Sequence, residues 1–229
     1  MGGRSTPEVQ QAHLEALGPV LGPLYSALYD EVTWLHAKWL EYRKLFGQSP
    51  ERVELLNASA PFFFFLVQDI FWDDVLLHIA RLTDTPRRGA FENLSLLRLA
   101  DAVPDETVAS EVRALTEIAV TKAEFARAYR NKQLAHRDLT YALEQATPLS
   151  QGSRHDIEEV LAAFSAVLNR LNREYLRSEV GFREFIAGSG DAEALVHDLA
   201  LAIDTERRRR ERAQQGRSLP EDFERPSVP

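Results

Sequence analysis

The 229-residue sequence contains no cysteine. A chain without cysteine has neither disulfides nor a thiolate zinc site, and thiol catalysis is excluded. It also lacks any apolar run near the ~20 residues that a bilayer span requires. The longest apolar cluster, Ala60–Val67, includes four consecutive phenylalanines and ends at Gln68. We therefore expect no membrane association, and burial of this cluster in the core or between subunits.

The first seven residues hold one arginine and no apolar segment follows them, unlike a secretory signal. We therefore expect an intracellular, cytoplasmic protein. Acidic residues outnumber basic ones by 35 to 27, for a net charge of −8, which disfavours non-specific coating of nucleic acid. The balance of charges reverses between residues 122 and 137, where the one acid is Glu124 and the five cations are Lys122, Arg127, Arg130, Lys132 and Arg137. This basic strip favours a phosphate-binding site confined to one place on the protein. The alternative is that its charges only make one helix face soluble in water.

Helical periodicity runs through the chain, and no alternating β-branched segment is bounded by turns. We predict an all-α, single-domain helical bundle with long antiparallel helices. Its parts are a short N-terminal helix within residues 1–18, a helical domain over 19–205, and a charged helix end with a disordered tail over 206–229. Disorder is expected from Gly216, because the tail has little apolar surface.

Turn and capping residues set the expected helix boundaries. Gly18 separates a helix over 7–17 from one over 20–46, and Ser49 caps a third that bends near Pro61 and ends at Leu82. Residues 87–92 are expected to be a loop, and Asn93 to cap a short helix. Later helices begin after Asp105, after the polar break 147–153, and at Asp191. Their expected apolar positions include Val112, Leu115, Ile118, Ala119 and Phe125; Ile157, Val160, Leu161, Phe164, Val167, Leu168 and Leu171; and Leu195, Leu199 and Ile203.

Chemically reactive residues concentrate in the ten residues from Tyr129 to Asp138. Arg130 is a permanent cation suited to phosphate oxygens, and His136 can exchange a proton near neutral pH. Asn131 can orient either a phosphate or the arginine. Such a set suits a phosphodiester substrate.

The pattern of Arg130-Asn131, a spacer and Ala135-His136 resembles the signature of the HEPN superfamily, in which arginine and histidine are separated by four to six residues. Here the spacer is five residues. A second segment, residues 68–84 (QDIFWDDVLLHIARLTD) followed by residues 93–96, is similar to the abortive-infection AbiU-like branch, as is Asp138. The resemblance covers roughly residues 20 to 180.

Helix geometry separates the two main residues of this motif. Six residues of straight α-helix turn the chain by about 240° and advance it by about 9 Å, so Arg130 and His136 would point about 120° apart. Either the helix begins or bends near Asn131, or the same helix of a second subunit completes the site. The resemblance implies the second arrangement, a homodimer with two motifs lining one cleft.

The resemblance implies a metal-independent RNA endonuclease of antiphage or toxin type, without a cofactor. His136 would act as general acid or base, Arg130 would stabilise charge on the phosphate, and Asp138 would fix the imidazole tautomer. Asn131 would position the phosphate or His136, and substrate would contact Lys132, Arg137 and Arg127. A toxic ribonuclease implies an antitoxin or a trigger partner. Two alternatives are a catalytically silent HEPN module that binds nucleotide or RNA, and a helical interaction protein.

A second group of polar residues precedes the motif. Asp69 and Asp73, and likewise Asp74 and His78, are four residues apart and share a helix face. A di-metal bundle requires Glu-x-x-His pairs on two helices, which the sequence lacks, so we predict no metal site. The resemblance implies instead a polar layer behind the reacting groups, made by Asp69, Asp73, Arg81 and Asp84. His36, among aromatic residues, is expected to be a hydrogen-bonded helical histidine.

Overall fold

The computed structural model describes residues 5–134, 152–184 and 190–223. The chain is all-α, as predicted. Its helices, in order, are α1 (Pro7–Phe46), α2 (Pro50–Ser59), α3 (Pro61–Leu82), α4 (Leu99–Ala102), α5 (Glu106–Lys122), α6 (Glu124–Tyr129), α7 (Arg154–Leu171) and α8 (Ala192–Gln214). Single 3-10 turns occupy Leu96–Arg98 and Pro220–Phe223, and π-helical turns occupy Arg130–Leu134 and Asn172–Leu176. No helix in these three ranges is long and apolar enough to span a membrane.

A kink at Gly18 divides α1. Its φ of 83° and ψ of 176° interrupt the helix at the residue predicted to separate two helices. Glycine adopts positive φ without a steric penalty, and Pro19 follows as a favourable first helical residue. In the second segment, Leu28, Val32 and Leu35 are fully buried on one helix face.

The chain divides into two compact units, one of Met1–Leu40 with Asp69–Ile186 and one of Glu41–Gln68 with Ala187–Pro229. This division passes through α1 and α3, so each of these helices contributes to both units. The predicted subdivision at residues 18 and 205 follows sequence composition instead, and it stays a prediction.

In the first unit, α5 packs along α7. All seven apolar positions predicted for α7 are buried, from Ile157 to Leu171. On α5 the buried stripe is Val108, Val112, Thr116 and Ala119. The prediction that Ile118 belongs to it is wrong, because Ile118 lies six residues after Val112, about 120° around the helix, and is 49% exposed.

The connection between α3 and α4 differs from its predicted form. Within the expected loop, β1 (Arg87–Arg88) pairs antiparallel with β2 (Phe91–Glu92). Ser95, not Asn93, caps the following 3-10 turn by accepting a hydrogen bond from the Leu97 amide. The Asn93 side chain instead donates to the Thr85 carbonyl at 2.8 Å. Because this bond closes the hairpin, the cap falls two residues later.

In the second unit, the end of α1, α2, the first part of α3, and α8 share a small core of Leu45, Leu56, Phe64 and Ala192. The predicted caps Ser49 and Asp191 are confirmed. The predicted bend at Pro61 is a complete break at Ala60, whose φ of −156° is not helical. On α8, Val196 and the predicted Leu199 pack against this core, whereas the predicted Leu195 is 42% exposed.

The phenylalanine cluster at the start of α3 is only partly buried within its unit. Phe64 is 5% exposed, whereas Phe62, Phe63 and Phe65 are 73%, 58% and 63% exposed. Burial of the whole cluster in the core is therefore wrong. A helix turn that is apolar on every side has only one side facing the small core. The predicted burial between subunits stays open.

The tail for which we predicted disorder is described as far as Phe223. Its Pro220–Phe223 turn is connected to α8 through Asp222, which forms an ion pair with Arg212. This charge pair, rather than apolar burial, accounts for the turn. Residues 224–229, also part of the predicted tail, lie outside the described residues.

Candidate functional site

The motif begins where the helix geometry changes. The α-helix α6 ends at Tyr129, and the π-helical turn Arg130–Leu134 follows directly. The regular α geometry that would separate Arg130 and His136 by about 120° therefore ends at Arg130. This change lies beside Asn131, where the first of our two alternatives placed a helix start or bend. The predicted site residues His136, Arg137 and Asp138 lie outside the described residues.

Arg130 is held by two hydrogen bonds on different edges of its guanidinium group. Nη1 donates to Asp84 Oδ2 at 2.6 Å, and Nε donates to Asn131 Oδ1 at 3.0 Å. The side chains of Arg130 and Asp84 are only 17% and 26% exposed. A guanidinium group carries five N–H donors, so three remain beyond these two bonds. Asn131 therefore orients the arginine, one of the two roles that its chemistry allowed.

Asp84 reaches Arg130 from the end of α3. The Asp84 amide donates to the Arg81 carbonyl at 3.3 Å, which closes a turn after Leu82. The preceding Thr83 is buried, and its hydroxyl donates to the Ile79 carbonyl at 3.1 Å. These bonds fix the backbone from which the carboxylate extends. Arg81 itself is exposed.

A second carboxylate of α3 contacts the residue next to Arg130. The buried Tyr129 donates its hydroxyl hydrogen to Asp73 Oδ1 at 3.1 Å. Burial raises the pKa of Asp73, the Tyr129 hydrogen bond lowers it, and the negative charge of Asp69 raises it. Thus α3 supplies one acid to Tyr129 and another to Arg130. This role of Tyr129 was not predicted, because only its place before the arginine marked it.

The expected polar layer is therefore assembled in part. Asp73 and Asp84 contact the motif directly. Asp69 is exposed and acts on Asp73 through its charge. Arg81, although exposed, lies one turn before Asp84 and contributes its carbonyl to the turn that positions that acid.

Asp74 and His78 each contact a charged side chain of α1 and do not point together at a common ligand such as a metal ion. Lys38 Nζ lies 2.6 Å from Asp74 Oδ2, and His78 Nε2 lies 2.7 Å from Glu31 Oε2. Burial lowers the pKa of His78, and the Lys38 charge lowers it further, while Glu31 raises it. Within the described ranges, no group of three histidine or acidic side chains is arranged to hold a metal ion.

The basic strip is divided among different environments. Lys122 forms an ion pair with Glu159 of α7, and Arg130 forms one with Asp84. Arg127 is half-buried on α6, whereas Lys132 is exposed on the π-helical turn. Among the described cations of this strip, Lys132 is thus the exposed one.

His36 is a hydrogen-bonded histidine of the core, as expected. Its Nε2 lies 3.0 Å from Ser165 Oγ of α7, and its ring stacks on Phe182 with centroids 5.7 Å apart. Burial lowers the pKa of His36 to about 4, which keeps the ring neutral at physiological pH.

Comparison with known proteins gives one family. The model of the HEPN family described as AbiU2 matches residues 20–195. The matched range includes both the α3 acids and the segment that contains Arg130 and His136. No curated protein and no solved structure matches the chain.

Proposed function

The chain belongs to the HEPN AbiU2 family, and from this premise we propose that it is a metal-independent RNA endonuclease of the antiphage or toxin type. The family indicates an abortive-infection type of HEPN module. Cleavage of RNA is the activity that the motif chemistry favours within that type.

The observation that carries the proposal is the orientation of Arg130. Its guanidinium is anchored at Nη1 and Nε by Asp84 and Asn131, and it lies at the start of the motif that reaches His136 six residues later. Donors held in place before reaction stabilise developing charge without further reorganisation. A phosphate oxygen would bind the remaining N–H groups, while Asn131 Nδ2 is suited to donate to the same phosphate.

In the proposed reaction, the RNA 2′-oxygen attacks its own phosphorus as His136 accepts the 2′-hydroxyl proton. The bond from phosphorus to the 5′-oxygen breaks, and that oxygen takes a proton from a second imidazole. The products are a 2′,3′-cyclic phosphate and a 5′-hydroxyl, so the step consumes no water and needs no oxidant or reductant. A homodimer with two motifs in one cleft supplies both imidazoles, one as base and one as acid.

The other predicted residues would complete the cleft. Asp138 would fix the His136 tautomer, and Lys132, Arg137 and Arg127 would bind flanking phosphates. Asp69, Asp73, Arg81 and Asp84 would surround the reacting groups. Since such an activity is toxic to the cell that makes it, an antitoxin or a trigger partner would restrain it.

The contact between Arg130 and Asp84 also favours a second candidate, a catalytically silent HEPN module that binds nucleotide or RNA. Asp84 Oδ2 lies 2.6 Å from Arg130 Nη1 and partly offsets the charge of the guanidinium group. An arginine with a partly offset charge can bind a phosphate and release it again, so the contact suits binding as well as catalysis. Under this alternative the same basic strip binds RNA but leaves it intact.

The deciding experiment is cleavage of a mixed RNA panel, including transfer RNA, in the presence of a chelator. We expect wild type to cleave, His136→Ala to lose cleavage, and His197→Ala, which alters an exposed histidine of α8, to keep it. Cleavage that survives in His136→Ala contradicts the catalytic assignment.

If wild type cleaves no RNA, binding separates the remaining possibilities. The silent module predicts that Arg130→Ala weakens RNA binding in a salt-dependent way. The interaction protein predicts that neither substitution changes any RNA property.

A further inference from the structure

We propose that a cleft between the two segments of α1 binds a small organic amine in its ammonium form. The segments lie before and after the kink at Gly18, and we call the space between them the α1 cleft. Its volume is about 740 Å³, and all of its described lining residues except Leu94 belong to α1. These residues differ from those that contact Arg130, so the proposal does not depend on RNA cleavage.

The two segments of α1 are held side by side, so the cleft is formed before any ligand binds. A β-carbon at Gly22 would lie 2.8 Å from the His13 carbonyl oxygen, and only glycine allows this close approach. The Ser5 amide, just before the first segment, donates to Asp30 Oδ1 at 2.9 Å. On the second segment the lining positions recur at spacings of three and four and form one helix face. They are Pro23, Ser26, Ala27, Asp30, Glu31 and Trp34.

The α1 cleft has acids but no permanent cation to balance them. Asp30 and Glu31 both line it, and the sequence from residue 5 to residue 37 has four acids and no lysine or arginine. Among the described basic groups, His78 is the one within ion-pair distance of either carboxylate, with its Nε2 2.7 Å from Glu31 Oε2. Burial lowers the pKa of His78, which favours its neutral form. A positively charged ligand is therefore favoured in this cleft.

The other side chains of the cleft suit an apolar ligand body. Trp34, Leu14 and Leu94 line it and are 37%, 37% and 40% exposed. Lys38 Nζ lies 6.0 Å from the centroid of the Trp34 ring, which shows that this indole accommodates a cation. The Lys38 charge is itself balanced by Asp74 at 2.6 Å. An apolar cleft with a few polar groups is the usual form of a small-molecule site, and its volume lies within the usual range of about 300–1,000 Å³.

Two buried histidines fix polar side chains of the cleft. His13 and Ser26 are each 6% exposed, and His13 Nδ1 lies 3.2 Å from Ser26 Oγ. His78, 4% exposed, contacts Glu31 in the same way. Ser26 and Asp30 are four residues apart and share a helix face, and Glu31 follows directly. These three residues offer oxygen acceptors for the three N–H donors of an ammonium group, so a primary amine fits better than a quaternary one, which has no N–H.

The test is a titration of the full chain with phenethylamine, followed through the indole N–H signals of ¹⁵N-labelled protein. The chain has three tryptophans, of which Trp34 lines the cleft, so Trp39 and Trp72 are internal controls. The signal that disappears in Trp34→Phe identifies Trp34. The titration extends to about 10 mM ligand at low ionic strength, because salt screens exposed charges. Phenethyl alcohol, which has a similar shape and no charge, is the matched control ligand.

We expect the Trp34 signal to shift saturably with a Kd on the order of 0.1–1 mM, as is usual for a ligand of this size. The double variant Asp30→Asn/Glu31→Gln should bind roughly 10-fold more weakly or worse, because charge-assisted hydrogen bonds become neutral ones. Its amide oxygens can still accept hydrogen bonds, and thermal melts verify its folding. The matched control Glu117→Gln, which neutralises an exposed acid of α5, should bind as wild type does.

Four outcomes overturn the proposal, and none of them bears on RNA cleavage. The first is no saturable shift of the Trp34 signal. The second is phenethyl alcohol that binds as tightly as the amine, which would make the cleft merely apolar. Unchanged binding in the double variant would place the ammonium group elsewhere. Finally, Arg4 lies outside the described residues, and binding by Arg4→Gln that wild type lacks would mean that this arginine, and no ligand, pairs with the acids.

Discussion

The ion pair between Asp84 and Arg130 is the contact through which α3 orients the motif arginine, and a double-mutant cycle measures it. The four proteins are wild type, Asp84→Asn, Arg130→Gln and the double variant. Both substitutions keep the approximate shape of the side chain and remove its charge. The cycle therefore isolates the interaction of the two charges from the cost of changing each residue.

The structure sets the expected coupling energy. Exposed ion pairs contribute about 0.2–1 kcal/mol, and removal of one partner of a fully buried pair costs about 3–5 kcal/mol. Arg130 and Asp84 are 17% and 26% exposed, with N and O 2.6 Å apart, and so lie between these limits. We expect a coupling free energy of about 1–2 kcal/mol, where each kcal/mol corresponds to about 2–4 °C in Tm for a chain of this size.

Urea unfolding at neutral pH, followed by circular dichroism, gives the four free energies. The control cycle uses Asp101 and Arg113, whose closest charged atoms are 3.9 Å apart with the acid 82% exposed, and should couple weakly. A coupling of the Asp84 and Arg130 pair no larger than that of the control would refute the reasoning, because the carboxylate would then not hold the guanidinium in solution.

The same substitution distinguishes orientation from simple charge. Asp84→Asn removes a negative charge beside Arg130, so RNA binding should strengthen at low salt. If Asp84 positions the guanidinium for reaction, kcat should nevertheless fall, by roughly 10-fold, because a misaligned donor stabilises the transition state less well. Tighter binding with unchanged kcat would assign Asp84 a purely electrostatic effect.

Three further predictions concern stability. Burial lowers the pKa of His36 from its ordinary 6.5 to about 4, so the unfolded chain binds this proton before the folded chain does as pH falls. Between pH 6.5 and 4 the wild type should therefore lose about 1–3 kcal/mol of unfolding free energy that His36→Gln does not lose, as measured by urea unfolding. Equal losses in the two proteins would contradict the assignment. Tyr25→Phe removes the buried hydrogen bond of 2.6 Å to Asn172 and should cost about 1–2 kcal/mol in the same assay, whereas an unchanged midpoint would place that hydroxyl in water. Asp105→Ala removes the cap of α5 and should lower stability by about 1 kcal/mol, while Asp101→Ala on the neighbouring surface should have almost no effect.

The helices that were predicted most accurately are those whose residues carry their own local signals. The spacing of three and four along α7 predicted seven of its nine buried residues, from Ile157 to Leu171, because one face of that helix packs against the core. The buried Ala163 and Asn169 were not predicted. The caps Ser49 and Asp191 were predicted for the same reason, since a cap bonds to amides two or three residues away. The helix break at Gly18 was predictable because few residues other than glycine adopt a positive φ such as its 83°.

The contacts that the sequence could not give are those between distant residues. Asp84 and Arg130 are 46 residues apart, and no local pattern indicates that a turn after α3 faces the start of a π-helical turn. The resemblance to HEPN proteins implied that Asp73 and Asp84 lie near the motif, but it did not say which residue each of them contacts. Similarly, the Asn93 side chain could cap a helix, but it donates instead to the Thr85 carbonyl. That bond depends on the hairpin between residues 87 and 92, which local patterns do not indicate.

The two α3 contacts with the motif constrain it more than either does alone. Tyr129 and Arg130 are adjacent, yet they bond to Asp73 and Asp84, which are 11 residues apart on α3 and its C-terminal turn. Asp73 lies within α3, whereas Asp84 lies in the turn after Leu82, so the motif is bonded at two separate points of this segment. Asp84 in the turn after α3 therefore orients Arg130 together with Asn131, and substitution of Asp84 should act on the site from more than 40 residues away in sequence.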